Sequence, residues 1–333
     1  MLDHLKTLQH WLQSELGADA SQLVAITNDA SFRRYFRIKK DNVSYIVMDA
    51  PPNKENCAPF IDVAKRLQAS GLNAPKILAS DLKQGFLLLT DLGLQLYLNA
   101  LQETQVEKLY TDALNALMLM QTHTSSDGLP LYDQQLLHRE MDLFTDWLLD
   151  KHLNLSLSTT EQANLATIFE LLGNSALAQP QVFVHRDYHS RNLMVVPHNN
   201  PGILDFQDAV KGPITYDLVS LLRDCYIAWP LSRVNGWATN YFIQIQQKTD
   251  KLNNVDTNQF LRWFDWMGIQ RHLKASGIFA RLYHRDGKSG YLKDIPRTLT
   301  YVVEVAATYP ELANLANIVK QDVLPRLSKS CEQ

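Results

Sequence analysis

Cysteine is scarce in this chain: Cys57, Cys225 and Cys331 are the only ones in 333 residues. Their odd number and the lack of a Cys-x-x-Cys spacing argue against a disulfide framework and leave a cysteine zinc site unsupported. The expectation is a reducing, cytoplasmic setting. Long apolar runs are missing as well. No uninterrupted stretch reaches the ~20 residues of a membrane-crossing helix. The opening segment MLDHLKTLQHWLQSELGADA reads as an amphipathic helix, with Leu2, Leu5, Leu8, Leu12 and Leu16 on one side, and not as a signal peptide. Charge of one sign is not in excess either. The 32 Lys+Arg against 35 Asp+Glu leave a net charge of −3, which argues against nucleic acid as the main partner. Repeats, low-complexity tracts and Pro/Ser-rich linkers are lacking, and no feature points to a membrane or an obligate protein partner.

What is present can build a core. Apolar residues make up 46% and charged residues 20%, and 333 residues suit two lobes or one domain with a large extension. Residues 22–90 look strand-rich. RRYFRIKKDNVSYIVMD has two alternating runs joined at Lys40-Asp41-Asn42, a hairpin signal. APFIDVAKRLQASG has helical period with Gly71 as its stop, and KILASDLKQGFLLLTDLG offers two further strands. From about residue 94 helical spacing dominates, in VEKLYTDALNALMLMQTHT, REMDLFTDWLLDKHL, TTEQANLATIFELLGNSALA and several later segments. The expected fold class is α+β, with residues 1–92 as a sheet lobe and 93–333 as a mainly helical lobe.

One stretch breaks the helical pattern. In QVFVHRDYHSRNLMVV an apolar run ends at His185-Arg186-Asp187, crosses polar residues to Asn192 and turns apolar again; GILDFQDAV follows, with Asp205 eighteen residues after Asp187. Strand, polar loop, strand, turn, strand and acid can bring Asp187, Asn192 and Asp205 to one edge of a small sheet. Phosphoryl transfer from a nucleotide needs positioning and charge neutralisation by Mg²⁺, a hard cation that takes oxygen ligands. Asn192 and Asp205 supply such ligands, and Asp187 is the candidate base, worth ~10²–10⁴ in rate. His185 and His189, four apart, could instead ligate a transition metal, but they lie on a loop and lack a third soft ligand; His185 reads as a buried hydrogen-bonding support for the loop. Asp208 either supports the metal-binding residues from behind or is merely solvated.

His185-Arg186-Asp187 with Asn192, followed by Asp205-Phe206-Gln207, resembles the catalytic and metal segments of the protein-kinase-like superfamily. The segments HRDYHSRN and ILDFQD are more similar to the aminoglycoside and choline phosphotransferase family than to protein kinases. The resemblance implies a two-lobed protein-kinase-like fold that uses ATP and Mg²⁺, with Asp217 of GPITYDLVSLL holding the catalytic loop. It also implies a nucleotide hinge at Thr90, Asp91 and Leu92, and a phosphate-covering loop in NDASFRRYFRI. That loop has no glycine, so Ser31 and backbone N–H groups would face phosphate. The family's third-strand lysine is missing, and Met48 stands near its place. Either Arg33, Arg34 or Arg37 supplies the cation, or the chain is a degenerate, nucleotide-binding kinase. GTP remains open as a donor.

NDASFRRYFR, MDAPP, LLTDLG, HRDYHSRNLM, ILDFQDAVKGPITYDLVSLLRDCYIAWP and QRHLKASGIFARL together resemble one subgroup, the bacterial anomeric kinases for N-acetylmuramate and N-acetylglucosamine used in recycling of cell-wall peptidoglycan. A small-molecule amino sugar and an enzyme acting on its alcohol group are then implied; an aminoglycoside- or choline-like kinase is the alternative. Arg223, Asp224, Tyr226 and Trp229 offer hydrogen bonds and an apolar wall to such a sugar, and Glu140 and Trp147 either line the cleft or pack a helix. A substrate carboxylate would want a cation, for which Arg191, Arg223, Arg271 and Lys274 are unranked candidates.

Overall fold

The computed structural model describes residues 2–18, 22–26 and 32–330. The expected hairpin is formed by β2 (Arg34–Lys40) and β3 (Val43–Asp49), in register from Arg34 opposite Asp49 to Lys40 opposite Val43. Its two turn residues, Asp41 and Asn42, both have positive φ (49° and 63°), the backbone that matches the right-handed twist of paired strands. With β1 (Val24–Ile26), β4 (Ile77–Asp81) and β5 (Phe86–Thr90) it makes an antiparallel sheet in the order β1-β2-β3-β5-β4. The turn between β4 and β5 must be glycine: a Cβ on Gly85 would lie 1.9 Å from the Ala50 carbonyl oxygen, and φ there is +79°. Helix α1 (Leu2–Leu16) buries Leu8 and Leu12 completely with Ile38, Val47, Phe86 and Leu88 of the sheet, ~1.5–3 kcal/mol for each large side chain. Helix α2 (Ala58–Ala69) turns Phe60, Val63, Ala64 and Leu67 inward.

Packing divides the chain into two compact units, residues 1–116 with 191–208, and residues 117–190 with 209–333. The inserted piece of the first unit is a hairpin of β7 (Leu193–Met194) and β8 (Gly202–Ile203). Main-chain bonds tie it there: Val195 N donates to Gln95 O and Ile203 N to Asn73 O, each at 2.8 Å. The Asn200 amide adds bonds to Tyr97 at 2.7 Å and Asp112 at 2.8 Å. Packing thus groups residues otherwise than the 92/93 division by element type.

Helices α3 (Tyr97–Ala100) and α4 (Val106–His123) follow β5 in the chain, and the second unit is mainly helical, with α8 (Leu231–Gln246) among its elements. Its longest element, α9 (Thr257–Asp286), has Asp256 as N-cap, accepting from Gln259 N, and ends at Gly287 in the left-handed region. Apolar residues of α9 such as Ile269, Leu273 and Phe279 share one core with α5 (Gln134–Leu143), α6 (Thr159–Leu177) and α10 (Ile295–Ala306). Gly277 lets α9 approach closely, since a Cβ there would lie 2.2 Å from the Leu143 carbonyl carbon. Just at that crossing α5 gives way to a π-helical stretch, Phe144–His152, where one uniform helix was expected.

The expected small sheet around the catalytic segment is not one sheet. Strand β6 (Gln181–Val184) pairs with β9 (Val210–Pro213), and β7 pairs with β8, its Met194 also bridging Leu96. The cause is local. Asp217, in the first turn of α7 (Tyr216–Leu222), accepts from the backbone N–H of His185 at 2.7 Å and of Arg186 at 3.0 Å. Those amides are therefore lost to any strand ladder, and Arg186 turns the chain at φ +77°.

Candidate active site

In the second unit the loop after β6 is held by two buried carboxylates. Asp217 takes the two amides just described, and Asp224 takes the Ser190 amide at 2.9 Å together with its hydroxyl. His185 is fully buried and its Nδ1 accepts from the Asp187 amide at 3.2 Å. The Asp187 side chain keeps partial access to solvent. Burial pushes its carboxyl up, but Lys274, His189, Arg271 and Arg186 outweigh this and hold it below the usual carboxylate range. Asp217 goes the other way: burial, helped by the nearby Asp187 charge, pushes it up to about 7 against the two amides. Two acids a short way apart are thus driven in opposite directions, the pattern that separates a working base from its support.

The cations around Asp187 are organised by Glu140. This buried residue accepts from the Tyr132 hydroxyl and the Arg186 guanidinium, and pairs with Lys274 at 3.0 Å. Lys274 also donates to the Tyr216 hydroxyl at 2.9 Å. Burial disfavours the Lys274 charge, yet Glu140 and its neighbours hold it protonated.

In the first unit the β7–β8 hairpin sets Asn192 and Asp205 side by side. Leu204 N donates to Asn192 O at 2.9 Å, and the Asn192 amide nitrogen lies 3.4 Å from Asp205 Oδ2. Gln207 donates to Asp205 Oδ1 at 2.8 Å and so orients the carboxylate. Asp205 is exposed and sits at φ +60°, a conformation that only a few residue types tolerate. Phe206 beside it is anchored on Phe60 of α2, ring centroids 4.8 Å apart.

The three arginines of the β2 region have carboxylate partners. Arg33 pairs with Glu55 at 3.0 Å, Arg34 with Asp49, and Arg37 with both oxygens of Asp91 at 2.6 and 3.0 Å as well as with Gly93 O. Ser31 lies outside the described residues. Thr90 bonds back to Lys76 through its hydroxyl and its amide, and Leu92 packs over Gly202. Met48 is fully buried. Of the sugar-facing candidates, Arg223 is 2% exposed, ion-paired to Asp265 at 2.6 Å and stacked over Phe264, so its charge is already matched inside the protein. Asp224 and Glu140 are likewise engaged internally, as described. Trp229 is half-buried with the Arg233 guanidinium 5.1 Å from its ring, and Arg191 belongs to the first unit beside Asn192.

Residues 22–252 match the model of the phosphotransferase enzyme family. The chain belongs to that family. This phosphotransferase is 43% identical to the N-acetylmuramate/N-acetylglucosamine kinase of Pseudomonas putida, over 95% of this chain and 96% of that one. It is 46% identical to the protein of the same name from Pseudomonas aeruginosa, over 90% and 88%. Among solved structures, a spectinomycin phosphotransferase in complex with ADP and spectinomycin superposes with a TM-score of 0.62 at 14% identity, covering 95% of this chain and 98% of that one. The α+β, protein-kinase-like class and the phosphotransferase activity expected from HRDYHSRN and ILDFQD are borne out.

The donor set of this phosphotransferase fits Mg²⁺. Asn192 and Asp205 present hard oxygens at an exposed hairpin end, and Mg²⁺ is commonly held by one or two such groups together with phosphate oxygens and water. Among the described residues no cluster of three or more His, Cys, Asp or Glu could hold a metal alone, and no helix is long and apolar enough to cross a membrane. Two features escaped the sequence reading. Tyr35 on β2 lies close enough to Asp205 and Arg33 to feel both charges, and Asp224 serves as a second clamp on the catalytic loop. The acid clamp had one faint signal, its place in RDCY just past a helix end, but its partner Ser190 is 34 residues away.

Proposed function

We propose that this phosphotransferase moves the terminal phosphoryl group of ATP to the anomeric hydroxyl of N-acetylmuramate or N-acetylglucosamine, giving the sugar 1-phosphate for peptidoglycan recycling in the cytoplasm. The observation that carries the chemistry is Asp187: a carboxylate kept ionised among Lys274, Arg271 and Arg186, on a loop pinned by Asp217. The substrate rests on the names of relatives 43–46% identical over nine-tenths or more of this chain. In this reading Asp187 orients the sugar hydroxyl and receives its proton as the oxygen attacks phosphorus, and the leaving group is ADP. Asn192 and Asp205 hold Mg²⁺, which neutralises charge on the phosphates. His185 and Asp217 fix the loop. Residues 1–92, with Thr90, Asp91 and Leu92 at the hinge and Ser31, Arg33, Arg34 and Arg37 near phosphate, form the nucleotide lobe, and residues 93–333 form the catalytic lobe. The arginines would keep their carboxylate partners and act by field, or exchange them for phosphate.

Phosphorus-31 NMR of the protein with MgATP and each sugar tests this. A sugar 1-phosphate resonance is expected, reduced ~10²–10⁴-fold in rate by Asp187→Asn. No product from either sugar, with nucleotide still bound, would sink the reading and leave an aminoglycoside- or choline-like small-molecule kinase or a nucleotide-binding pseudokinase.

A further inference from the structure

Arg271 of α9 is 5% exposed, and among the described residues no carboxylate pairs with it. Its hydrogen bond goes to Cys225 Sγ at 3.7 Å, a weak acceptor, and its Nε is buried without a partner. The neighbouring buried cations differ in having a carboxylate: Arg223, whose Nε and one terminal nitrogen are also without a hydrogen-bond partner, has Asp265 at 2.6 Å, and Lys274 has Glu140 at 3.0 Å. Burial disfavours charge on Arg271, but Cys225, Tyr216, Asp187 and Asp224 outweigh it, so the guanidinium stays protonated. A desolvated guanidinium without an ion pair costs several kcal/mol and is tolerated where an anion completes it. Its planar fork suits a carboxylate in particular. The location is specific too. Arg271 lies one helical turn before Lys274, and both contribute to the field that keeps Asp187 ionised.

We infer that Arg271 receives a carboxylate carried by the acceptor sugar and so decides between the two acceptors. The inference rests on the sugar-kinase reading above. N-acetylmuramate carries a carboxylate on an ether side chain where N-acetylglucosamine has a plain hydroxyl, so only the former completes the buried guanidinium. The buried cations left unranked by sequence are thereby separated: Arg223 and Lys274 each have a carboxylate inside the protein and Arg271 remains, while Arg191 is only half-buried.

The test measures kcat/KM of wild type, Arg271→Met and Arg271→Lys on both sugars and on the uncharged methyl ester of N-acetylmuramate. Arg271→Met should lower kcat/KM on both sugars through the lost field at Asp187, and should lower the ratio of N-acetylmuramate to N-acetylglucosamine turnover by a further ~10–150-fold, the range of a hydrogen bond to a charged group. Arg271→Lys should recover part of the loss. The ester should be a poor substrate for wild type, and either substitution should cost it no more than it costs N-acetylglucosamine. Retained turnover of N-acetylglucosamine reports that the variant is folded; if Arg271→Met does not fold, the lysine variant and the ester on wild type decide. Equal losses on both sugars, or wild type using the ester as well as the acid, overturn the assignment. A wild type inactive on both sugars overturns the sugar-kinase reading itself, a different result.

Discussion

Replacing Glu140 by glutamine keeps its volume and one acceptor oxygen but removes the charge that organises the cations behind Asp187. Glu140 is 5% exposed and faces two cations, Arg186 and Lys274, besides the Tyr132 hydroxyl. The amide nitrogen of glutamine must then point at a cation or at a hydroxyl donor, and Lys274, 7% exposed, is left buried without an ion-pair partner among the described residues, with neutral acceptors such as the Tyr216 hydroxyl in its place. Breaking a buried ion pair from one side costs ~3–5 kcal/mol. That is a large share of the ~5–15 kcal/mol that typically holds a domain together. Removing Lys274 as well, in Glu140→Gln/Lys274→Met, takes away the uncompensated charge. The double variant should be more stable than the sum of the single changes by ~2–3 kcal/mol, the coupling of residues in one network. Urea unfolding of the four proteins gives the cycle. A cost below ~1 kcal/mol for Glu140→Gln, or additivity in the double variant, would show that the charges are solvated after all and refute the reasoning.

Two further outcomes follow from the same framework. Gly277→Ala gains ~1 kcal/mol of helix propensity, but its methyl would meet main-chain atoms of Leu143 and Phe144 at 2.2–2.6 Å. Overpacking of ~1–3 kcal/mol or more should win, so calorimetry should show a lower Tm; a higher one would mean that the helices part easily. Asp217, raised from 3.8 to about 7 in the fold, favours the native state when protonated. Its contribution is therefore complete at low pH and is lost as pH rises through its folded value. The difference in unfolding free energy between wild type and Asp217→Asn should shrink over that interval and level off above it, and a pH-independent difference counts against the assignment.

How far the sequence reached depended on the range of the interactions. The β2–β3 hairpin was legible because alternation and the Asp41-Asn42 turn are both local. Helix α2 and its stop at Gly71 were legible for the same reason. The end of β6 was not: it follows from Asp217 capturing the next two amides across some thirty residues, which no periodicity records. Nor was the π-helical stretch, whose onset coincides with the approach of Gly277, more than a hundred residues away. Asp187, Asn192 and Asp205 stood out because polar groups interrupt apolar runs. The field around Asp187 was hidden, because Arg271 and Lys274 sit in a helix whose surroundings read as core, and sequence could name both without saying which one had a partner.

The positive φ of Asp205 bears on how this protein can change over time. At +60° an aspartate is held where glycine would rest without strain, a penalty of ~1–2 kcal/mol for an L-residue. Heat tolerance selected by itself would favour glycine at this position, and the oxygen donor proposed for the metal would vanish with the strain. Robustness and activity therefore pull against each other at a single codon. A lineage moving to warmer conditions has to find its gains elsewhere, on exposed helix faces and loops, and leave this corner of the hairpin as uncomfortable as it is.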